Sequence, residues 1–113
     1  MSEVLSEISD GVMTITLNRP EAGNSLNEAV GRALVDAFAA AEANEAVRVV
    51  VITGTGEKVF CAGLDLKAFA AGADMMVIGA GLGAIGKCPK PVIAAVNGAA
   101  LAGGFEVALK ADL

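Results

Sequence analysis

The residues best suited to do chemistry lie in the segment from Val96 to Glu106. An apolar strand predicted over Pro91 to Val96 leads through small residues to Gly103-Gly104, and a helix is predicted from Phe105 to Ala111 with Glu106 in its first turn. The first amides of a helix lack intrahelical partners and lie at the positive end of its dipole. Glycines there let a substrate atom approach the backbone. The segment could therefore bind an oxygen that becomes anionic during a reaction, with Glu106 as proton donor or acceptor.

A purely structural interpretation of the same residues is also open. A Gly-Gly pair before a helix is often only a tight turn, and a glutamate in a first turn often only complements the helix dipole. From this segment alone the structural interpretation is favoured, so the choice depends on the rest of the chain.

Composition limits the class of protein. The chain has 113 residues, 55% of them hydrophobic, which suits one domain with a packed core. A formal net charge of −5 argues against nucleic-acid binding. The absence of histidine excludes Ser-His and Cys-His catalysis and any histidine-ligated metal in these residues. Cys61 and Cys88 are predicted to be free thiols in a reducing compartment.

The chain is predicted to be a soluble cytoplasmic or organelle-matrix protein without a membrane partner, and cytoplasmic is the favoured location. Its first residues are acidic and lack the basic-then-apolar plan of a signal peptide. The stretch 68–86 is apolar, but Asp74 and several glycines interrupt it, which argues against a membrane span.

The positioning elements begin with a β-hairpin. Strands are predicted over Val4 to Ser9 and Val12 to Leu17, on either side of Asp10-Gly11, which is a strong signal for a two-residue turn. The Pro, Gly and Asn content of residues 18–25 predicts a loop after the hairpin.

A helix and a buried strand follow that loop. Asn27 is predicted to cap a helix that runs to about Asn44. The β-branched run from Val47 to Thr53 indicates a strand buried on both faces. Asp65 is predicted to cap a further short helix. This succession of strands and helices indicates an α/β fold.

A glycine motif offers a competing hypothesis of dinucleotide binding. Gly81, Gly83 and Gly86 have the Gly-x-Gly-x-x-Gly spacing. Pro89 would end the following helix after very few residues, and the next strand leads to Asn97 rather than to an acidic residue for a ribose. The favoured interpretation is that these glycines let a helix pack closely against its neighbours.

Several motifs together resemble the crotonase (enoyl-CoA hydratase/isomerase) superfamily. They occur in the family's order, cover nearly the whole chain, and are Asn18-Arg19-Pro20 with Asn24-Ser25-Leu26-Asn27, Val49 to Gly54, Phe60 to Lys67, and Pro89 through Glu106. The resemblance implies a spiral of β-β-α units, with residues 1–113 as the N-terminal part of one crotonase-like domain. It also implies a homotrimer or hexamer that acts on acyl-CoA thioesters in fatty acid and lipid metabolism.

The resemblance implies roles for three residues. The backbone amides of Leu64 and Gly103 match the pair that holds the thioester oxygen as it becomes an enolate. Glu106 matches one of two hydratase carboxylates and would position or deprotonate the added water, helped by a pKa raised in an apolar pocket. The side chain of Leu64 could equally be a plain core leucine.

The family's contacts with coenzyme A fall on two loops and the glycine pair. The matching residues are Glu21, Ala22, Gly23, Ala62, Gly63, Leu64, Asp65, Leu66, Lys67, Gly103 and Gly104. Lys67 could meet a phosphate of coenzyme A or could be a solvated surface lysine. No metal and no cofactor are expected, because the coenzyme A thioester is itself the substrate.

Departures from the family pattern bear on activity. The second hydratase glutamate would lie beyond Leu113, so 113 residues alone are expected to have little or no hydratase activity. Lys110 stands where a small residue is usual, and burying a lysine there without a partner would be costly. Ala102 replaces a frequent glycine, and this change is expected to matter less.

The predicted function is hydration of a trans-2-enoyl-CoA, which Glu106 favours over the family's alternatives. Those alternatives are an isomerase or another acyl-CoA activity that uses the same oxygen-binding amides. An inactive fragment or acyl-CoA-binding relative, whose glycines only shape the fold, is the alternative from a different class.

Overall fold

The computed structural model describes residues 2–113 and confirms the α/β class. The strands are β1 (Val4–Ser9), β2 (Val12–Leu17), β3 (Val49–Gly54), β4 (Val59–Cys61), β5 (Val92–Ala94) and β6 (Ala99–Ala100). The helices are α1 (Glu28–Ala43), α2 (Leu66–Ala70), α3 (Met75–Lys87) and α4 (Gly103–Lys110), with a single 3-10 turn at Pro20–Ala22 in the described residues.

The larger sheet has the strand order β1-β2-β3-β5. Strands β1 and β2 are antiparallel, and the turn between them places Asp10 at φ 50° and Gly11 at φ 81°, as expected for an Asp-Gly hairpin. The β2–β3 and β3–β5 pairs are parallel. Strands β4 and β6 form a separate parallel pair, and α4 follows β6 in the chain.

The prediction of a strand buried on both faces is wrong. Strand β3 begins at Val49, and its burial alternates, with Val50 and Ile52 fully buried and Val51 partly exposed. The reason is that α1 and α3 supply buried core residues to one face of this sheet, and no described element buries the other face to the same extent.

The predicted helix α1 is confirmed, including its cap. The side chain of Asn27 accepts a hydrogen bond from the amide of Val30 at 2.9 Å. The buried stripe of the helix consists of Val30, Gly31, Leu34, Phe38 and Ala41.

The glycine motif lies inside helix α3 and not in a loop before a helix. A Cβ added to Gly81 would lie 2.8 Å from the Cα of Gly31 in α1, so the two helices meet backbone to backbone. Gly83 has open space beside it. Close packing is therefore confirmed for Gly81 and not for Gly83. The dinucleotide hypothesis would need these glycines in a loop between a strand and a helix, and they lie inside a helix instead.

Among residues 2–113, none of the helices has the length and apolar character needed to cross a membrane.

Candidate functional site

The turn before α4 brings the glycine pair to the end of β6. The amide of Gly104 donates a hydrogen bond to the carbonyl of Leu101 at 2.7 Å, which closes a four-residue turn. Helix α4 begins at Gly103, two residues earlier than predicted. Only glycine fits at position 104, because an added Cβ would lie 1.9 Å from the carbonyl oxygen of Cys61 in β4.

Ala102 has a backbone conformation that favours glycine. It lies at φ 48° and ψ −114°, the geometry of the first central residue in a type II′ turn. A Cβ in this region of backbone conformation is strained, so the departure from glycine carries an energetic cost, while its smaller effect on activity stays a prediction.

The loop that carries Leu64 is fixed by a parallel bridge to Leu26. The amide of Leu26 donates to the carbonyl of Gly63 at 2.7 Å, and the amide of Asp65 donates to the carbonyl of Leu26 at 2.9 Å. In such a pairing the residue between the two bonded neighbours directs its own amide away from the partner strand. The Leu64 amide therefore faces away from Leu26.

The amides of Leu64 and Gly103 lie side by side. A Cβ added to Gly103 would lie 3.5 Å from the Leu64 nitrogen, and one added to Gly63 would lie 3.0 Å from the Gly103 nitrogen. Across residues 2–113, neither amide donates a hydrogen bond to another protein group. Two amide donors from different loops, both without a protein acceptor, thus lie next to each other.

Glu106 follows Gly103 by three residues on α4, so the two lie on neighbouring positions of one helix face. Its side chain is exposed, and so are those of Leu101, Phe105 and Leu109 around it. The apolar pocket that we expected around Glu106 is not formed by residues 2–113. Lys110 is also exposed, so the expected cost of burying it does not arise.

Most residues matched to coenzyme A contacts meet in one groove of about 570 Å³. Its lining includes Glu21, Ala22, Ala62, Leu64, Asp65, Leu66 and Lys67. Gly23 joins the two loops, because its carbonyl accepts a hydrogen bond from the Ala62 amide at 2.9 Å. Gly63 and Gly104 are buried, Gly103 is half-buried, and none of the three lines the groove.

A family model described as enoyl-CoA hydratase/isomerase matches residues 7–113. The chain belongs to the enoyl-CoA hydratase/isomerase family.

Individual relatives in this family carry different reaction names. The chain is 48% identical over 118 residues to carnitinyl-CoA dehydratase of Salmonella arizonae, covering 99% of this chain and 45% of the relative. It is 36% identical over 123 residues to 1,2-epoxyphenylacetyl-CoA isomerase of Escherichia coli, covering 100% of this chain and 47% of the relative. The chain thus spans less than half the length of these relatives.

Solved structures of the family confirm the crotonase-like fold. The crystal structure of enoyl-CoA hydratase EchA1 from Mycobacterium marinum superimposes with a TM-score of 0.91 at 53% identity. The match covers 100% of this chain and 45% of that one.

Two side chains that hold the loops beside the groove of this enoyl-CoA hydratase/isomerase family member were not assigned roles from the sequence. Asn24 is buried, accepts a hydrogen bond from the Arg19 amide at 2.9 Å, and donates to the carbonyls of Thr55 and Val59, each at 3.1 Å. Arg19 forms an ion pair with Asp65 at 3.0 Å. The only sequence signal was their place in the shared motifs.

Asp65 caps α2 as predicted, accepting hydrogen bonds from the amides of Lys67 at 3.0 Å and Ala68 at 3.1 Å. The Ala68 amide, followed by the hydrogen bond from Arg19, lowers the pKa of Asp65 below its ordinary value of 3.8.

Burial raises the pKa of the Cys61 thiol, which keeps it neutral. Within residues 2–113, no group of Cys, Asp and Glu side chains is arranged to hold a metal ion.

A pH dependence of stability follows from Asp65. Because its pKa is lowered on folding, its carboxylate stabilises the folded protein above the unfolded value of 3.8, and this contribution is lost as the pH falls through the lower folded value. We expect Asp65→Asn to cost stability at neutral pH and the difference from wild type to shrink below about pH 4. Urea unfolding of both proteins at several pH values measures this, and a difference that stays constant into strong acid would contradict it.

Ala102→Gly is expected to stabilise the full-length protein by about 1 kcal/mol. The substitution relieves backbone strain worth about 1–3 kcal/mol. This gain exceeds the entropic cost of ordering a glycine on folding, which is about 0.5–1 kcal/mol. Thermal unfolding provides the measurement. The matched control is Ala80→Gly inside α3, which should destabilise by about 1 kcal/mol because its helical backbone is unstrained. Equal losses at the two positions would show that Ala102 is unstrained.

Proposed function

We propose that the full-length protein is an enoyl-CoA hydratase that adds water across the double bond of a trans-2-enoyl-CoA thioester. The observation that carries this proposal is the placement of two unpaired amides, Leu64 and Gly103, beside each other with Glu106 one turn along α4. Such donors can each contribute roughly 2.7–4 kcal/mol when they point at a developing negative charge.

In the proposed reaction, Glu106 accepts a proton from water as the water oxygen bonds to the β-carbon. The π electrons of the double bond move toward the thioester, and its oxygen becomes an enolate oxygen. The amides of Leu64 and Gly103 donate hydrogen bonds to that oxygen. The α-carbon then takes up a proton from an acid that lies outside residues 1–113, and no metal or further cofactor is required.

The groove beside Leu64 is proposed to hold coenzyme A. It runs from Glu21 and Ala22 to Leu66 and Lys67, and its far side ends at an exposed lysine. A lysine acts as a point charge for phosphate groups. The thioester would then enter past Leu64, which lies in the wall of the groove.

Isomerisation of an acyl-CoA is the second candidate, favoured by the likeness to 1,2-epoxyphenylacetyl-CoA isomerase. Both reactions need an oxygen-binding pair of amides. Dehydration, as in the name carnitinyl-CoA dehydratase, is the reverse of hydration and would use the same groups. A relative that only binds acyl-CoA would use the groove without turnover.

The test is to incubate the full-length protein with crotonyl-CoA and, separately, with trans-3-hexenoyl-CoA. Loss of the enoyl absorbance with formation of 3-hydroxybutyryl-CoA supports the hydratase. Conversion of the 3-enoyl to the 2-enoyl thioester without hydration supports the isomerase. Binding of both thioesters without conversion of either would overturn both reactions.

Assembly as a homotrimer or hexamer, a cytoplasmic location and a role in fatty acid metabolism stay predictions from the resemblance. Light scattering of the full-length protein tests the first of them.

A further inference from the structure

Arg19 connects three parts of the chain beside the groove. Its Nη2 donates to Oδ2 of Asp65 at 3.0 Å, its Nη1 donates to the carbonyl and hydroxyl oxygens of Ser25 at 2.8 and 3.1 Å, and its Nε lies 3.3 Å from Oε2 of Glu3. The side chains of Arg19 and Asp65 are each only 15% exposed. Salt therefore screens this pair less than an exposed one.

Asp65 is held at several atoms, and its amide belongs to the Leu64–Asp65 peptide, next to the Gly63–Leu64 peptide that carries the Leu64 amide. Its Oδ1 is held by the amides of Lys67 and Ala68, while its Oδ2 is held by Arg19. Its own amide donates to the carbonyl of Leu26. Both carboxylate oxygens and the amide of Asp65 are therefore hydrogen-bonded, and Leu64 precedes this residue directly.

We propose that Arg19 is a positioning residue, which acts through Asp65 to hold the Leu64 amide in line with the Gly103 amide. This inference rests on the proposed function, since the alignment matters only if both amides bind one oxygen. The planar guanidinium fixes its partners through a rigid fork, which a lysine ammonium cannot reproduce. Misplacement of a reacting group by about 1 Å can cost about 10²-fold in rate.

The variant that tests the proposal is Arg19→Lys in the full-length protein, because it keeps the charge and removes the fork. We expect kcat for crotonyl-CoA to fall by about 10- to 10²-fold while KM changes by less than about threefold. The second readout is the infrared band of butyryl-CoA labelled with ¹³C at the thioester carbonyl. Hydrogen bonds to that carbonyl lower its stretching frequency, and we expect a smaller lowering in the variant.

Arg32→Lys is the matched control. Arg32 is on α1, 67% exposed, and pairs only loosely with Glu28 at 3.9 Å. The control should leave kcat, KM and the carbonyl band unchanged, which separates loss of positioning from a general effect of replacing an arginine.

Three outcomes would count against the proposal. If Arg19→Lys lowers thermal stability but keeps kcat and the carbonyl band, Arg19 only stabilises the fold and the proposal is overturned. If Arg19→Lys does not fold, Asp65→Asn replaces it, since asparagine also caps helices, and an unchanged kcat and band there would overturn the proposal. A wild-type band at the position of free butyryl-CoA would instead overturn the proposed function, and this inference with it.

Discussion

Replacing Glu106 with glutamine in the full-length protein is expected to slow the hydration of crotonyl-CoA by about 10²–10⁴-fold, the usual worth of a general acid–base group. Glutamine has nearly the same shape as glutamate but cannot accept the proton of the attacking water. Because the Glu106 side chain is exposed among residues 2–113, the substitution should leave the fold intact. The rate of loss of enoyl absorbance measures the effect.

Glu42→Gln is the matched control for this prediction. Glu42 is also an exposed helical glutamate, located on α1 away from the groove, and its replacement should leave turnover unchanged. Turnover by Glu106→Gln at the wild-type rate would remove Glu106 from the mechanism.

Gly104→Ala is expected to destabilise the full-length protein by about 3 kcal/mol or more, at the upper end of the cost of overpacking. The added Cβ would lie 1.9 Å from the carbonyl oxygen and 2.6 Å from the carbonyl carbon of Cys61. These are backbone atoms of β4, so relief requires moving the strand or the start of α4. Activity should fall too, because Gly103 would move with the helix.

Gly79→Ala controls for the general effect of adding a methyl group. A Cβ there meets nothing within 4 Å, and alanine is the better helix former by about 0.5–1 kcal/mol, so this variant should be slightly stabilised. Thermal unfolding compares the two. If Gly104→Ala unfolds at the wild-type midpoint, the close contact between α4 and β4 does not exist in solution.

Local signals in the sequence predicted the elements that depend on local chemistry. The Asp10-Gly11 turn and the caps at Asn27 and Asp65 each follow from residues a few positions apart, and the structure has all three. The succession of elements indicated the α/β class, and the resemblance supplied the crotonase-like arrangement and the pairing of Leu64 with Gly103. Periodicity could not predict that pairing, because the two residues approach each other only in the folded chain.

Properties set by distant neighbours were missed. The Arg19–Asp65 pair joins residues 46 positions apart, and no local pattern indicates it. The half-exposed face of β3 depends on what covers the sheet and not on the β-branched run itself. Helix α4 begins at Gly103, beside the close approach of Gly104 to Cys61 of β4, and the strained Ala102 lies in the turn just before it.

A crystal structure of the full-length protein with bound butyryl-CoA would show whether the two amides bind one oxygen. We expect the thioester oxygen to lie about 2.7–3.1 Å from both the Leu64 and Gly103 nitrogens, with the carboxylate of Glu106 facing the β-carbon. A thioester oxygen bound elsewhere, or in contact with neither amide, would contradict this expectation.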